Sequence, residues 1–195
     1  LKRKQGLMDE AESLHEASYA LRSELGDRVG MGRVRVMLAG LYLSRGHFDA
    51  SVEAGREAAE IADESRDRLF HAVALSQLGS AEQGRGNLAA AQDYLTAARA
   101  EFAEIQDRMR VLMTDILMAR LALARGEEIE GRAQSLLDRA RGDGYDIPEV
   151  DAVELLGDAA EAAGLKEEAA VRYREAMTLL EALNWDSKET EVATK

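Results

Sequence analysis

LAGLYLSRGHFDASVEAGREA, residues 38–58, and LGSAEQGRGNLAAAQDYLTAA, residues 78–98, are two versions of one pattern. Leu38 corresponds to Leu78, Gly46 to Gly86, Phe48 to Leu88 and Ala58 to Ala98, each forty residues apart. Self-similarity at a fixed period of this size marks a repeat array, in which each unit buries its apolar face against its neighbours.

The composition supports helices as the repeating element. A single proline in 195 residues leaves helices with few interruptions. Aromatic residues make up only 5% while alanine is abundant, which suits slim helices packed close together. A net charge of -12 argues against a nucleic-acid partner, because phosphates demand Lys and Arg. With no cysteine there is neither a disulfide framework nor thiolate chemistry. No apolar run is long enough to span a membrane. The basic start LKRKQ, residues 1–5, lacks the apolar stretch of a secretory signal, and a cytoplasmic protein is expected. Beginning at Leu1, the chain reads as a piece of a longer protein.

Outward from the two lines, the same signals recur. Residues 1–5 read as a helix end closed by Gly6, followed by a helix from Leu7 to Leu25 with apolar positions at spacings of three and four. Gly26 suits a C-cap and Asp27 an N-cap. The Asp-Arg pair returns at Asp67-Arg68 and Asp107-Arg108, again forty residues apart, and the simplest role for these three carboxylates is to cap helix starts. Helix pairs are expected at about 29–65, 68–106, 109–141 and 148–184, joined by short connections that force neighbours antiparallel. The third pair is irregular: its second helix opens on the charged run EEIE, residues 127–130. RGDGYDI, residues 141–147, reads as a loop, with Pro148 opening the next helix. The tail after Trp185, residues 185–195, has no apolar period and is expected to be disordered.

Small residues sit where two helices of a pair would cross: Ala39, Gly79, Ala119 and Gly157 on the first helix, Ser51, Ala91 and Ala169 on the second. With Leu38, Tyr42, Gly46, Phe48 and Ala58 in the first line, and their counterparts Leu78, Gly86, Leu88, Leu95 and Ala98 in the second, this arrangement resembles the tetratricopeptide repeat family. Leu156, Gly157, Gly164, Ala169, Tyr173 and Ala176 repeat it, while 118–140 matches only at Met118, Ala119 and Gly126. The resemblance covers residues 1–184 and is to the long, forty-residue variety found in bacterial signalling and regulatory proteins. It implies an all-α fold, a right-handed superhelix or α-solenoid of about nine antiparallel helices, as one array over 1–184 that starts with the second half of a repeat. It also implies a concave groove lined by the first helix of each pair.

Nothing in the sequence assembles into a catalytic set. His15, His47 and His71 lie in different repeats. GMG (30–32) and GRG (84–86) lack the remaining features of a phosphate loop. DGYD (143–146) lacks calcium-loop spacing, and the RGD tripeptide at 141–143 reads as coincidence. No enzyme activity, cofactor or metal is expected. On the family mapping, the groove is lined by Arg33, Val36, Gly40 and Leu43, then Val73, Ser76, Ser80 and Gln83, then Met113, Ile116, Arg120 and Leu123, then Asp151, Glu154, Asp158 and Glu161. The third stripe is apolar with one cation and the fourth wholly acidic, a combination suited to a basic or amphipathic peptide, although a solvated helix face explains such acids equally well. The family's carboxylate clamp for acidic chaperone tails is not matched at these positions. The methionines 31, 37, 109, 113 and 118 read first as core filling and second as an adaptable surface. An array needs polar caps, and Tyr173, Met177 and Leu180 on the last helix suggest self-association, or packing on a parent chain, through an end. The function expected is a protein-interaction module, the repeat region of a larger bacterial regulator. The alternative is the ligand-sensing domain of a STAND/LuxR-type regulator or a kinase.

Overall fold

The computed structural model describes the backbone of residues 2–193 and the side chains of residues 6–183. The described residues form nine α-helices and no strand. They are α1 (Lys2–Glu24), α2 (Arg28–Ser44), α3 (Phe48–Glu64), α4 (Arg68–Gly84), α5 (Leu88–Glu104), α6 (Arg108–Ala124), α7 (Glu130–Asp143), α8 (Asp146–Ala162) and α9 (Lys166–Ala193). The chain divides into two compact units, residues 1–107 with α1–α5 and residues 108–195 with α6–α9.

Helix starts fall at residues 28, 48, 68, 88 and 108, so the forty-residue period is two equal steps of twenty. One turn motif makes every step. At the end of α2, His47 N–H donates to the Tyr42 carbonyl at 2.9 Å and Gly46 N–H to Leu43 at 3.0 Å, with Gly46 left-handed at φ 73°. This is a Schellman turn, which satisfies the carbonyls that a helix end leaves free. Asp27, Asp67, Asn87 and Tyr145 make the same long bond back to Arg22, Ala62, Glu82 and Ala140. Two of the turns lack glycine: Arg66 and Gln106 hold φ of 56° and 59°. The capping role of Asp27 and Asp67 is direct, since their carboxylates accept from the Gly30 and Phe70 amides at 2.9 and 3.2 Å.

In the first unit, each helix packs on the next through its small residues. A Cβ on Gly79 would lie 2.6 Å from Leu95 Cγ and 3.3 Å from the Ala91 carbonyl oxygen, and Leu95 and Ala91 are fully buried. Ser51, also buried, donates from its hydroxyl to the Ala39 carbonyl at 2.8 Å, tying α3 to α2. In the second unit, one cluster includes Leu112 and Ile116 of α6, Leu137 of α7 and Val153 and Leu156 of α8. There Gly157 lies beneath the Tyr173 ring, 2.6 Å from where its Cβ would be.

Four expectations change. Gly6 does not end a helix: α1 runs through it, and one interior glycine costs only about 1 kcal/mol. The 141–147 loop shrinks to Gly144 and Tyr145, because α7 reaches Asp143 and left-handed Gly144 turns the chain at once. Residues 185–193 are helical rather than disordered, since neither Gly nor Pro follows Gly164 to stop α9, and residues 194–195 lie outside the described residues. Finally, α7 starts at Glu130, two residues late for the twenty-residue step.

The crossings set a clear contrast between glycines. Replacing Gly79 with Ala forces Leu95 off its rotamer and lowers stability by about 1–3 kcal/mol of overpacking, offset in part by about 1 kcal/mol of helix propensity. Gly131→Ala, at a helical position with nothing within 4 Å of the new methyl, raises stability by up to about 1 kcal/mol. Paired thermal melts of the two variants check both signs.

Candidate functional site

The faces of the first helices are the natural place to look. In the first unit these are α2 and α4, which lie directly against each other. The Arg33 guanidinium stacks over the Phe70 ring at 4.7 Å from its centroid and approaches the Asp67 carboxylate at 3.7 Å. Two turns on, Gln77 lies against Gly40, 3.1 Å from where its Cβ would be. Arg33 is exposed, while Leu43, Val73, Ser76, Ser80 and Gln83 are half-buried. Val36 differs: at 8% exposure it belongs to the core with Ala58 and Ala74, so it cannot present its side chain to a partner.

The second unit places α6 beside α8. Here Ile116 is core at 2% exposure, whereas Met113 and Leu123 are half-buried. The acidic strip is not simply solvated. Arg120 reaches across from α6 to Glu154 at 3.3 Å, Asp158 at 3.2 Å and the Asp151 carbonyl at 3.3 Å. From α9, the Tyr173 hydroxyl donates to Asp158 at 2.9 Å and Glu161 at 3.0 Å. Burial and these two carboxylate acceptors hold the Tyr173 hydroxyl far above its usual range, so it stays a donor. Four carboxylates against one guanidinium leave the face negative. Val36 and Ile116 are buried, whereas the other stripe residues keep part of their surface exposed.

Sequence reasoning missed the residues that organise the faces. Tyr173, expected at an uncovered end, instead anchors the acidic strip. Around α2, Arg35 pairs with Glu57 at 2.5 Å and stacks on Tyr19 at 4.1 Å, and Tyr19 also donates to Glu57. Buried Glu82 accepts from Asn87 at 2.7 Å and from Arg85 at 3.3 Å. The repeated arginines of the Asp-Arg pairs have a role too: Arg28 binds Glu64 at 2.6 Å, and Arg68 binds Glu104, thirty-six residues on in both cases. Of the methionines 31, 37, 109, 113 and 118, Met37 and Met109 are exposed, at 53% and 37%, and do not fill the core, whereas Met31, Met113 and Met118 are half-buried. His71 pairs with Glu101 at 2.8 Å, and among the described residues no group of three His, Asp or Glu is placed to hold a metal. No described helix is long and apolar enough to cross a membrane.

Asp151 gives the site a pH signature. Its burial pushes the carboxyl above the ordinary 3.8, Arg120 pulls it back and Glu154 pushes it up again. A native carboxyl raised in this way favours folding while protonated; that contribution is complete below the unfolded value and lost as pH rises through the native one. Asp151→Asn therefore raises the Tm at pH 7, and the gain disappears toward about pH 3.5, below the ordinary carboxyl value, as a melting series across that range shows.

Known proteins match this fold. Residues 1–64 match the family model described as tetratricopeptide repeat. No curated protein matches the sequence. Among solved structures, BtubC (BKLC) from P. vanneervenii is similar with a TM-score of 0.65 at 21% identity, covering 94% of this chain and 77% of that one. A kinesin light chain protein of Podosopora anserina with nearly identical TPR-like repeats is similar in two forms. The form carrying a single substitution gives a TM-score of 0.63 at 17% identity, covering 93% of this chain and 90% of that one. The form without it gives 0.61 at 18%, covering 91% and 89%. At these identities the likeness is one of fold: residues 1–64 match the tetratricopeptide repeat model, and the chain has a TPR-like helical-repeat fold.

Proposed function

We propose that this chain is a protein-interaction module that holds a peptide or protein segment against the faces of its first helices, within a larger bacterial regulatory or signalling protein. Tetratricopeptide repeats in general bind proteins or peptides, and the finer reading rests on one observation. On α8, Asp151, Glu154, Asp158 and Glu161 form a strip ordered by Arg120 and Tyr173, with net negative charge beside half-buried Met113 and Leu123 of α6. A strip held by its own hydrogen bonds is preorganised, so little side-chain entropy is lost when a cation docks on it. The fitting partner is a basic, amphipathic segment, and acidic chaperone tails are disfavoured. Fluorescence anisotropy with a labelled Lys/Leu-rich helical peptide tests this. Glu154→Gln with Glu161→Gln weakens binding about tenfold and flattens its dependence on salt, and equal binding of an acidic peptide overturns the reading.

Self-association through an end is the second element. Leu7, Leu14 and Leu21 of α1 and Leu25 just after it are 57–74% exposed, and Val171 and Met177 of α9 are 54% and 59% exposed. Burying such side chains is worth about 1.5–3 kcal/mol each. Sedimentation velocity at rising concentration shows a dimer that Leu14→Glu with Leu21→Glu abolishes; a monomer throughout rejects it.

A further inference from the structure

The first unit shows how this repeat seals itself. Phe48, two residues after Gly46, lays its ring on Gly84 at the end of the next first helix, so closely that a Cβ on Gly84 would overlap it. Leu88 holds the same place after Gly86. In the third pair the place falls to Glu128, which is exposed, and α7 does not begin until Glu130. Ile129, one residue further on, is buried in the core and forms the floor, no ring or leucine closes the space in front of it, and an open cavity of about 330 Å³ stands there. Its wall includes Ala162, at the end of α8 as Gly84 is at the end of α4. Leu123, Ile129, Leu156 and Leu165 make it apolar. Glu127, Glu128, Glu130 and Glu168, all exposed, are the charged residues among its thirteen lining residues, and no Lys, Arg or His joins them.

We infer that this cavity, formed entirely within residues 108–195, is a docking socket for a basic segment of a partner protein that inserts one Phe or Leu side chain where the repeat's own plug is missing. The apolar walls take the inserted side chain, as Gly84 takes Phe48. The four glutamates take Lys or Arg on either side of it, so that an acidic segment is repelled and an uncharged one is weakly held. The size suits one large side chain, at the low end of the about 300–1,000 Å³ typical of binding pockets. This socket lies at the turn ends of the helices and shares Leu123 with the α6–α8 face, but its glutamates are not those of the strip, so variants at Glu127 and Glu168 and variants at Glu154 and Glu161 tell the two readings apart.

The test uses a fluorescein-labelled nonapeptide with central Phe between Arg/Lys pairs, a Phe→Ala control and a control with Glu in place of Arg and Lys. The whole chain binds the basic Phe peptide at least about tenfold more tightly than either control. Glu128→Phe, which restores the plug, weakens that binding by at least about tenfold while leaving the Tm unchanged or higher. Ala162→Leu, filling the cavity from the opposite wall, does the same should Glu128→Phe fail to fold. Glu127→Lys with Glu168→Lys weakens binding and flattens its salt dependence. Binding that survives both filling variants, or that falls only with Glu154→Gln, places the peptide elsewhere and overturns the socket. So does equal affinity for the three peptides, or a plug-sensitive site that takes only small apolar cations.

Discussion

The backbone of α4 can lie against α5 only because residue 79 has no side chain. With Leu95 Cγ 2.6 Å from the position a Cβ would take, the crossing is closed to every other residue at its present spacing. Contacts of this kind, at Gly79, at Gly157 beneath Tyr173 and at Ala39 against Ser51, draw helices close enough for alanine-sized residues to fill the space between them. That is why a chain with 5% aromatics can still bury Leu38, Leu78, Leu95, Leu112 and Leu137 almost completely.

Close packing alone would not fix which faces meet. The phase comes from the turn, one Schellman motif repeated so that helix starts advance by twenty residues. At Arg66 and Gln106 a side chain is tolerated in the left-handed conformation, at a cost of about 1–2 kcal/mol each, and the geometry does not change. At Arg66 the turn is therefore imposed by the packing of α3 on α4, not by the glycine that usually serves it. Constant phase has an electrostatic consequence: Arg28 meets Glu64 and Arg68 meets Glu104 across the same interval. These exposed pairs add little stability, about 0.2–1 kcal/mol each, but they agree with the register rather than oppose it.

What the sequence discloses and what it hides follow from the same distinction. Residues repeated by the backbone rule, such as Gly46 and Gly86, Asp27 and Asp67, Ala58 and Ala98, are legible because local geometry selects them at each period. Groove residues are legible only to within a turn. Val36 and Ile116 obey the three-and-four spacing of their stripes, yet each is drawn into the core by the helix packed beyond it, a neighbour the spacing does not reveal. The network of Arg120 with Glu154, Asp158 and, through Asp158, Tyr173 joins three helices, and its residue types do not recur together at the forty-residue period. A pattern met once carries no periodic signal, so only the fold brings those residues together. The helical tail was hidden for another reason: weak amphipathic pattern argues for disorder, whereas absence of Gly and Pro leaves helix continuation unopposed.

Irregularity is informative in a chain otherwise bound by one rule. From α2 to α6 every helix has seventeen residues and every step is twenty; α7 has fourteen and begins late. The delay puts Glu127, Glu128 and Glu130 around the start of α7 where Phe48 and Leu88 stand in the first two pairs, and Glu130 in the first turn faces the positive end of the helix dipole. A random loss of the plug would more simply leave a small polar residue or bring the neighbouring walls together. Instead, Ile129 and Leu156 stay 4% and 5% exposed behind acidic side chains, keeping an apolar interior beneath a charged mouth. Sequences depart from their own structural rule chiefly where function requires it. The stretch that fits the repeat least well is therefore where partner selection is best sought.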